Sequence, residues 1–181
     1  AQHMDGHMGM KIDGSVNLNM QELVSWKDDI VTKLNKGVEH LLKNAGARLI
    51  SGWATFKDAK HCTVETADGP VNIEAENVIL ATGSTPIELP FMKFDEEYIC
   101  SSTGALDLDA LPEKVAVIGG GYIGLELGIA LRRLGSEVTV VEGLDKVLAI
   151  FDDELRRPLT TWLRKNGVTT CLLYTSDAAD E

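Results

Sequence analysis

Gly119, Gly121 and Gly124 follow directly on the apolar run 115–118 and open a stretch of helical period. Each position has a chemical use. Gly119 permits a tight turn, Gly121 leaves out the Cβ that would bar a phosphate, and Gly124 lets the helix lie close on the strand. Free N–H groups at the start of that helix, at the positive end of its dipole, suit a diphosphate. Gly128, one turn later, extends the close packing. The next apolar strand, 137–142, ends in Glu142. A carboxylate about 20 residues past the glycines can accept hydrogen bonds from both ribose hydroxyls of an adenosine, and it repels a 2′-phosphate. Gly143, Leu144 and Asp145 stand directly after that strand, where a 2′-phosphate site would want Arg or Lys. The pattern points to NAD rather than NADP. The competing reading is a glycine-rich turn with no ligand.

Such a turn has to be carried by a βαβ unit. The stretch 114–142 supplies one: strand, glycine turn, helix, a stop at Gly135, strand. The stretch 152–170 begins another helix, with Pro158 inside it, and then another strand. Proline lacks the N–H and crowds the preceding turn, so the helix is expected to kink or to start there. Upstream, Leu23, Val24, Ile30, Val31, Leu34, Val38, Leu41 and Leu42 recur at helical spacing over 19–44. Asn19 and Glu22 fit a capping box and Gly46 fits the glycine just past the helix. His40 on this helix reads as structural or solvated. From 47 to 81 the period becomes two, broken at Lys57-Asp58 and at Asp68-Gly69-Pro70, which predicts a small antiparallel meander. The run 77–83 is short, apolar and ends in Thr82-Gly83, and it is expected to form a buried strand in a parallel sheet. Residues 84–114 hold Pro86, Pro90 and Pro112 and read as a crossover between two units.

Composition bounds the function. The chain has 181 residues, 44% hydrophobic and 25% charged, which is ordinary for one globular domain or slightly more. A formal net charge of -11 argues against nucleic acid or an anionic membrane surface as the main partner. No apolar run reaches the roughly 20 residues of a membrane helix, and no signal peptide is visible. Cys62, Cys100 and Cys171 form no CxxC pair and no metal spacing, and they read as reduced thiols of a cytoplasmic protein. The first residues lack an initiating Met, and the chain is expected to be entered partway. The segment 171–181 breaks the preceding pattern. One choice of codons for it resembles a transposase adapter used in sequencing libraries, so it is expected to be a non-native tail. Tyr174, Ser176 and Asp177 in it are given no function.

Taken together, the stretches around Thr82-Gly83-Ser84, around Ser101-Ser102-Thr103-Gly104, from Val115 to Gly128 and from Val138 to Leu155 resemble the pyridine nucleotide-disulphide oxidoreductases, above all the dihydrolipoamide-oxidising branch. The likeness runs in order from about Leu23 to Thr170. It implies an α/β fold of Rossmann-like FAD- and NAD(P)-binding domains with a small antiparallel β-meander. Residues 1–112 would be part of the FAD domain, 113–170 the first half of the NAD domain, and 171–181 the tail. The resemblance implies that Thr82, Gly83 and Ser84 close over FAD and that Ala54 meets the adenine through its backbone. It implies that Gly119, Gly120, Gly121, Tyr122, Ile123, Gly124, Leu125 and Glu126 form the NAD turn and first helical turn. Within these, Tyr122 would gate the nicotinamide site and Glu126 would approach the nicotinamide, while Glu142 would hold the ribose. For Tyr122 and Glu126 the plainer reading is a packed ring and a solvated charge.

In that family dihydrolipoamide reduces an enzyme disulphide, the electrons pass to FAD, and a hydride passes to NAD. The lipoamide would belong to a 2-oxoacid dehydrogenase or glycine cleavage complex, and the enzyme would be a homodimer. The family's first FAD glycine turn, its redox cysteine pair and its His-Glu couple have no match here, and neither Cys62 nor Cys100 lies in the context of that pair. No catalytic residue and no metal ligand is assigned. Within the same family the alternatives are NADH oxidase, coenzyme A-disulphide, mercuric or glutathione reductase, or soluble transhydrogenase. Outside it stands a catalytically inert NAD-binding fragment.

Overall fold

A computed structural model describes residue 14 and residues 16–172; the non-native tail expected at 171–181 therefore lies, beyond Leu172, outside the described residues. Two compact units divide the chain. Trp26–Ile87 form one, and the residues up to Ser25 with those from Glu88 onward form the other.

The first unit holds most of helix α1 (Met20–Asn44) and a meander of strands β1 (Trp53–Phe56), β2 (His61–Thr66) and β3 (Gly69–Glu74). Asn19 caps α1 as its spacing predicts. Its Oδ1 accepts the Glu22 N–H at 3.3 Å and its Nδ2 donates to Glu22 Oε1 at 3.0 Å. At the other end Gly46 sits at φ +72°, the Gly46 N–H donates to Lys43 C=O, and the Ala47 N–H donates to Leu42 C=O. That closes the helix in a Schellman motif. No residue of α1 is buried. Its apolar stripe, including Leu34 and Leu41, faces out.

In the meander β2 is central, antiparallel to both neighbours, with Ala54 opposite Val64 and Cys62 opposite Ile73. Cys62 and Val64 are buried on one face. Asp58 makes the first turn by accepting the N–H groups of Lys60 and His61. These contacts, and the ring of His61, hold the Asp58 carboxyl below the usual carboxylate range.

The run 77–83 differs from its expectation. It forms no strand. Ile79 and Leu80 are 91% and 74% exposed. A buried strand needs neighbours to take its N–H and C=O groups, and both three-stranded sheets are made without it.

The second unit is a three-stranded parallel α/β sheet of the Rossmann type. Strands β4 (Lys114–Ile118), β5 (Glu137–Glu142) and β6 (Thr169–Leu172) are parallel and adjacent in that order. Helices α2 (Tyr122–Leu134) and α3 (Asp153–Lys165) connect them. β6 takes in Cys171 and Leu172, the first residues of the segment set apart in the sequence. The core is Leu125 and Leu131 of α2, Val138 and Val140 of β5, then Val147, Leu163 and Val168. Spacing of three on α2 (Leu125, Gly128, Leu131) and of two on β5 (Val138, Val140) produces this face.

Both helices of this unit also end in Schellman motifs. At α2 the Gly135 N–H meets Arg132 C=O and the Ser136 N–H meets Leu131 C=O; at α3 the Gly167 N–H meets Arg164 C=O and the Val168 N–H meets Leu163 C=O. Helix α3 starts at Asp153, ahead of Pro158, so the proline lies inside the helix. Asp153 and Glu154 in its first turn and Arg164 and Lys165 in its last complement the helix dipole.

The far end of the unit is tied by Arg132, whose Nε donates to Asn166 C=O at 2.8 Å and whose Nη1 donates to Ser136 C=O at 3.1 Å. Ser136 is fully buried and its Oγ donates to Pro112 C=O at 2.7 Å. Ser136→Ala strands that carbonyl and is expected to cost about 1–2 kcal/mol, read as a lower urea midpoint at unchanged m-value.

Candidate nucleotide site

β4 runs straight into the glycine turn. Its last residue, Ile118, pairs with Val141, and the next N–H, that of Gly119, donates to Val141 C=O at 2.8 Å. Glu142 thus stands at the carboxyl end of β5, beside the turn that leaves β4. In parallel α/β sheets this is the end at which ligands bind.

The glycines differ in what they permit. Gly119 adopts φ +104°, the left-handed region that favours glycine. A Cβ on Gly124 would lie 2.5 Å from Gly119 C=O and 3.0 Å from Val117 Cγ1, so α2 can rest on β4 only without one. A Cβ on Gly121 would meet nothing within 4 Å. The backbone there is open to an approaching group.

Gly121 is the N-cap of α2 and no side chain caps the helix. The first intrahelical bond is from the Leu125 N–H to Gly121 C=O at 3.0 Å. The N–H groups ahead of it, from Tyr122 to Gly124, have no acceptor within a helix of this geometry. An uncapped helix start beside open backbone fits a diphosphate.

Glu142 Oε2 accepts the Gly120 N–H at 2.6 Å, and its Oε1 accepts the Leu144 N–H at 2.9 Å. The carboxylate therefore points at the glycine turn and not away from it. Tyr122 and Ile123 are 60% and 46% exposed, and Glu126 is exposed. Leu125, in the same turn, has its side chain buried in the core and its N–H bonded to Gly121 C=O. Gly120 likewise gives its N–H to Glu142, so its amide is not free for a phosphate.

The sequence reading passed over Val147 and Leu148. Val147 is buried and packs where a Cβ on Gly120 would lie 2.7 Å from its Cγ1. The Leu148 N–H donates to Gly120 C=O at 2.9 Å. A third glycine in the row, at 120, was the signal for this close approach.

The residues that the resemblance assigns to FAD all lie in the other unit. Ala54 is in β1 opposite Val64, while Thr82, Gly83 and Ser84 lie on exposed irregular backbone, Gly83 at φ +72°. No hydrogen bond links Ala54 to them among the described residues.

Cys62 belongs to one unit and Cys100 to the other. Burial, then the charges of Glu96 and Asp95, push the Cys100 thiol up. A thiol so disfavoured as thiolate is a poor nucleophile. Among the described residues there is no group of three or more His, Cys, Asp or Glu placed to hold a metal, and no helix long and apolar enough to cross a membrane.

Known proteins agree with this geometry. The family model described as pyridine nucleotide-disulphide oxidoreductase matches residues 6–180. A dihydrolipoyl dehydrogenase of Pseudomonas aeruginosa is 45% identical over 153 residues, covering 84% of this chain and 33% of the relative. One from Staphylococcus aureus is 39% identical over 181 residues, covering all of this chain and 38% of the relative. Among solved structures, LpdA from Mycobacterium tuberculosis superposes with a TM-score of 0.82 at 26% identity, over 94% of this chain and 38% of that one. The HOCl-induced flavoprotein disulphide reductase RclA from Escherichia coli gives 0.70 at 29% identity, over 82% and 34%. The chain spans about a third of the length of the relatives it matches.

Proposed function

The chain belongs to the pyridine nucleotide-disulphide oxidoreductase family, and from that premise we propose that it supplies the NAD-binding turn and part of the FAD domain of a dihydrolipoamide:NAD oxidoreductase. What carries the NAD part is the pairing of open backbone at Gly121 with a carboxylate, Glu142, held at the same turn. The N–H groups of Gly121, Tyr122 and Ile123 hold the diphosphate. Glu142 accepts hydrogen bonds from the adenosine ribose and excludes a 2′-phosphate. Tyr122 and Glu126, on the exposed first turn of α2, flank the path towards the nicotinamide. NAD bound here supplies the acceptor for a hydride.

For the whole enzyme the reading implies FAD, a homodimer, and the lipoyl group of a 2-oxoacid dehydrogenase or glycine cleavage complex as substrate. The names of the relatives, dihydrolipoyl dehydrogenase, support the dihydrolipoyl part of this reading. The free cysteines suit a reducing cytoplasm. The 181-residue chain by itself should turn over no dihydrolipoamide, and appreciable turnover would contradict the assignment of parts. Glu142→Arg tests the ribose role. NADH affinity is expected to fall about tenfold, with the NADH-to-NADPH preference narrowed, in a fluorescence titration; unchanged affinity for both would refute the role.

A further inference from the structure

Gly120 is the glycine that the usual pattern leaves unassigned, yet both of its backbone polar groups are held by residues distant in sequence. Its N–H goes to Glu142 Oε2 at 2.6 Å and its C=O receives the Leu148 N–H at 2.9 Å. These two groups belong to successive peptide planes. Peptides are planar and there is no cis bond among the described residues, so N–H and C=O on one plane point in opposite directions.

Pinning the Gly120 N–H on Glu142 therefore turns Gly119 C=O the other way, towards Gly124, where it lies 2.5 Å from a Cβ position. Pinning Gly120 C=O on Leu148 turns the Gly121 N–H away from the 147–148 segment. Leu148 holds φ +50°, one of two non-glycine residues described with positive φ. A conformation of that kind persists only where its surroundings impose it. Here the buried side chain of Val147 anchors the same segment.

We propose that Glu142 and Leu148 form a two-sided latch on Gly120 that aims the Gly121 amide at the diphosphate before nucleotide arrives, which makes Leu148 a positioning residue and gives Glu142 a second role besides ribose recognition. The effect on binding rests on the NAD reading above. The latch itself does not, because it can be read without any ligand.

The test is amide hydrogen exchange of the ligand-free 181-residue chain, following Gly120, with Val138 and Val140 as controls for an intact sheet. Glu142→Gln keeps one acceptor oxygen for the two N–H groups that the carboxylate holds, so Gly120 should be protected less than in the wild type but more than in Glu142→Ala. Glu142→Ala should speed its exchange about tenfold. Glu142→Asp, which keeps the charge but falls short by one methylene, should do the same, and it stands in if the alanine variant does not fold.

Inorganic pyrophosphate, which has no ribose, supplies the second measurement. The Gln and Ala variants are both neutral at this position, so the latch predicts pyrophosphate binding about fivefold weaker in the Ala variant. Equal Gly120 protection in all variants with an intact sheet would overturn the latch. Failure of NADH binding with the protection pattern present would instead strike the NAD reading and leave the latch standing.

Discussion

Gly124→Ala is expected to destabilise the Glu88-onward unit by about 3 kcal/mol and to abolish measurable NADH binding. The added Cβ would lie 2.5 Å from the carbonyl oxygen of Gly119 and 3.0 Å from Val117 Cγ1. The first is backbone and cannot rotate aside as the tip of a long side chain would. Either α2 lifts off β4 or the turn deforms, and both move the amides from Gly121 to Ile123. Leu125, 2% exposed and one residue further on, would lose its packing in the same movement. A urea unfolding curve and an NADH titration check the two halves. Wild-type stability in the variant would show that the close approach of helix and strand is not required.

Gly121→Ser is expected to do the opposite to stability. Its backbone, φ -76° and ψ 175°, is open to any residue, and a Cβ there meets nothing within 4 Å. Serine is at least as good an N-cap as glycine, so the urea midpoint should hold or rise by a few tenths of a kcal/mol. NADH affinity should nevertheless fall by about 30- to 100-fold. The hydroxymethyl group enters the space that a diphosphate needs, and its oxygen takes an amide that would otherwise make a charge-assisted hydrogen bond. The pair of variants separates a glycine needed for packing from a glycine needed for ligand. Equal loss of affinity without any difference in stability between them would contradict that division.

Much of this was legible in the residues because each signal was local. The capping box at Asn19 and Glu22, the two terminating glycines Gly46 and Gly135, and the βαβ unit around Gly119 depend on neighbours within a few positions. The structure realises them at those positions. Of the two expectations at Pro158, a kink or a helix start, the start is excluded, because Asp152 and the acidic first turn begin the helix ahead of it. The run 77–83 misled for a different reason. Its apolar residues describe a strand that has neighbours, and the described sheets offer it none. The latch on Gly120 was not legible, since it joins residues 22 positions apart through one carboxylate and through the backbone of Leu148, which no side-chain pattern announces.

The most direct measurement is a fluorescence titration of the 181-residue chain with NADH and, in parallel, NADPH. The account predicts saturable NADH binding, competed by ADP, with NADPH at least about tenfold weaker because Glu142 repels the 2′-phosphate. No saturable binding by a chain shown to be folded, or NADPH bound as tightly as NADH, would contradict it.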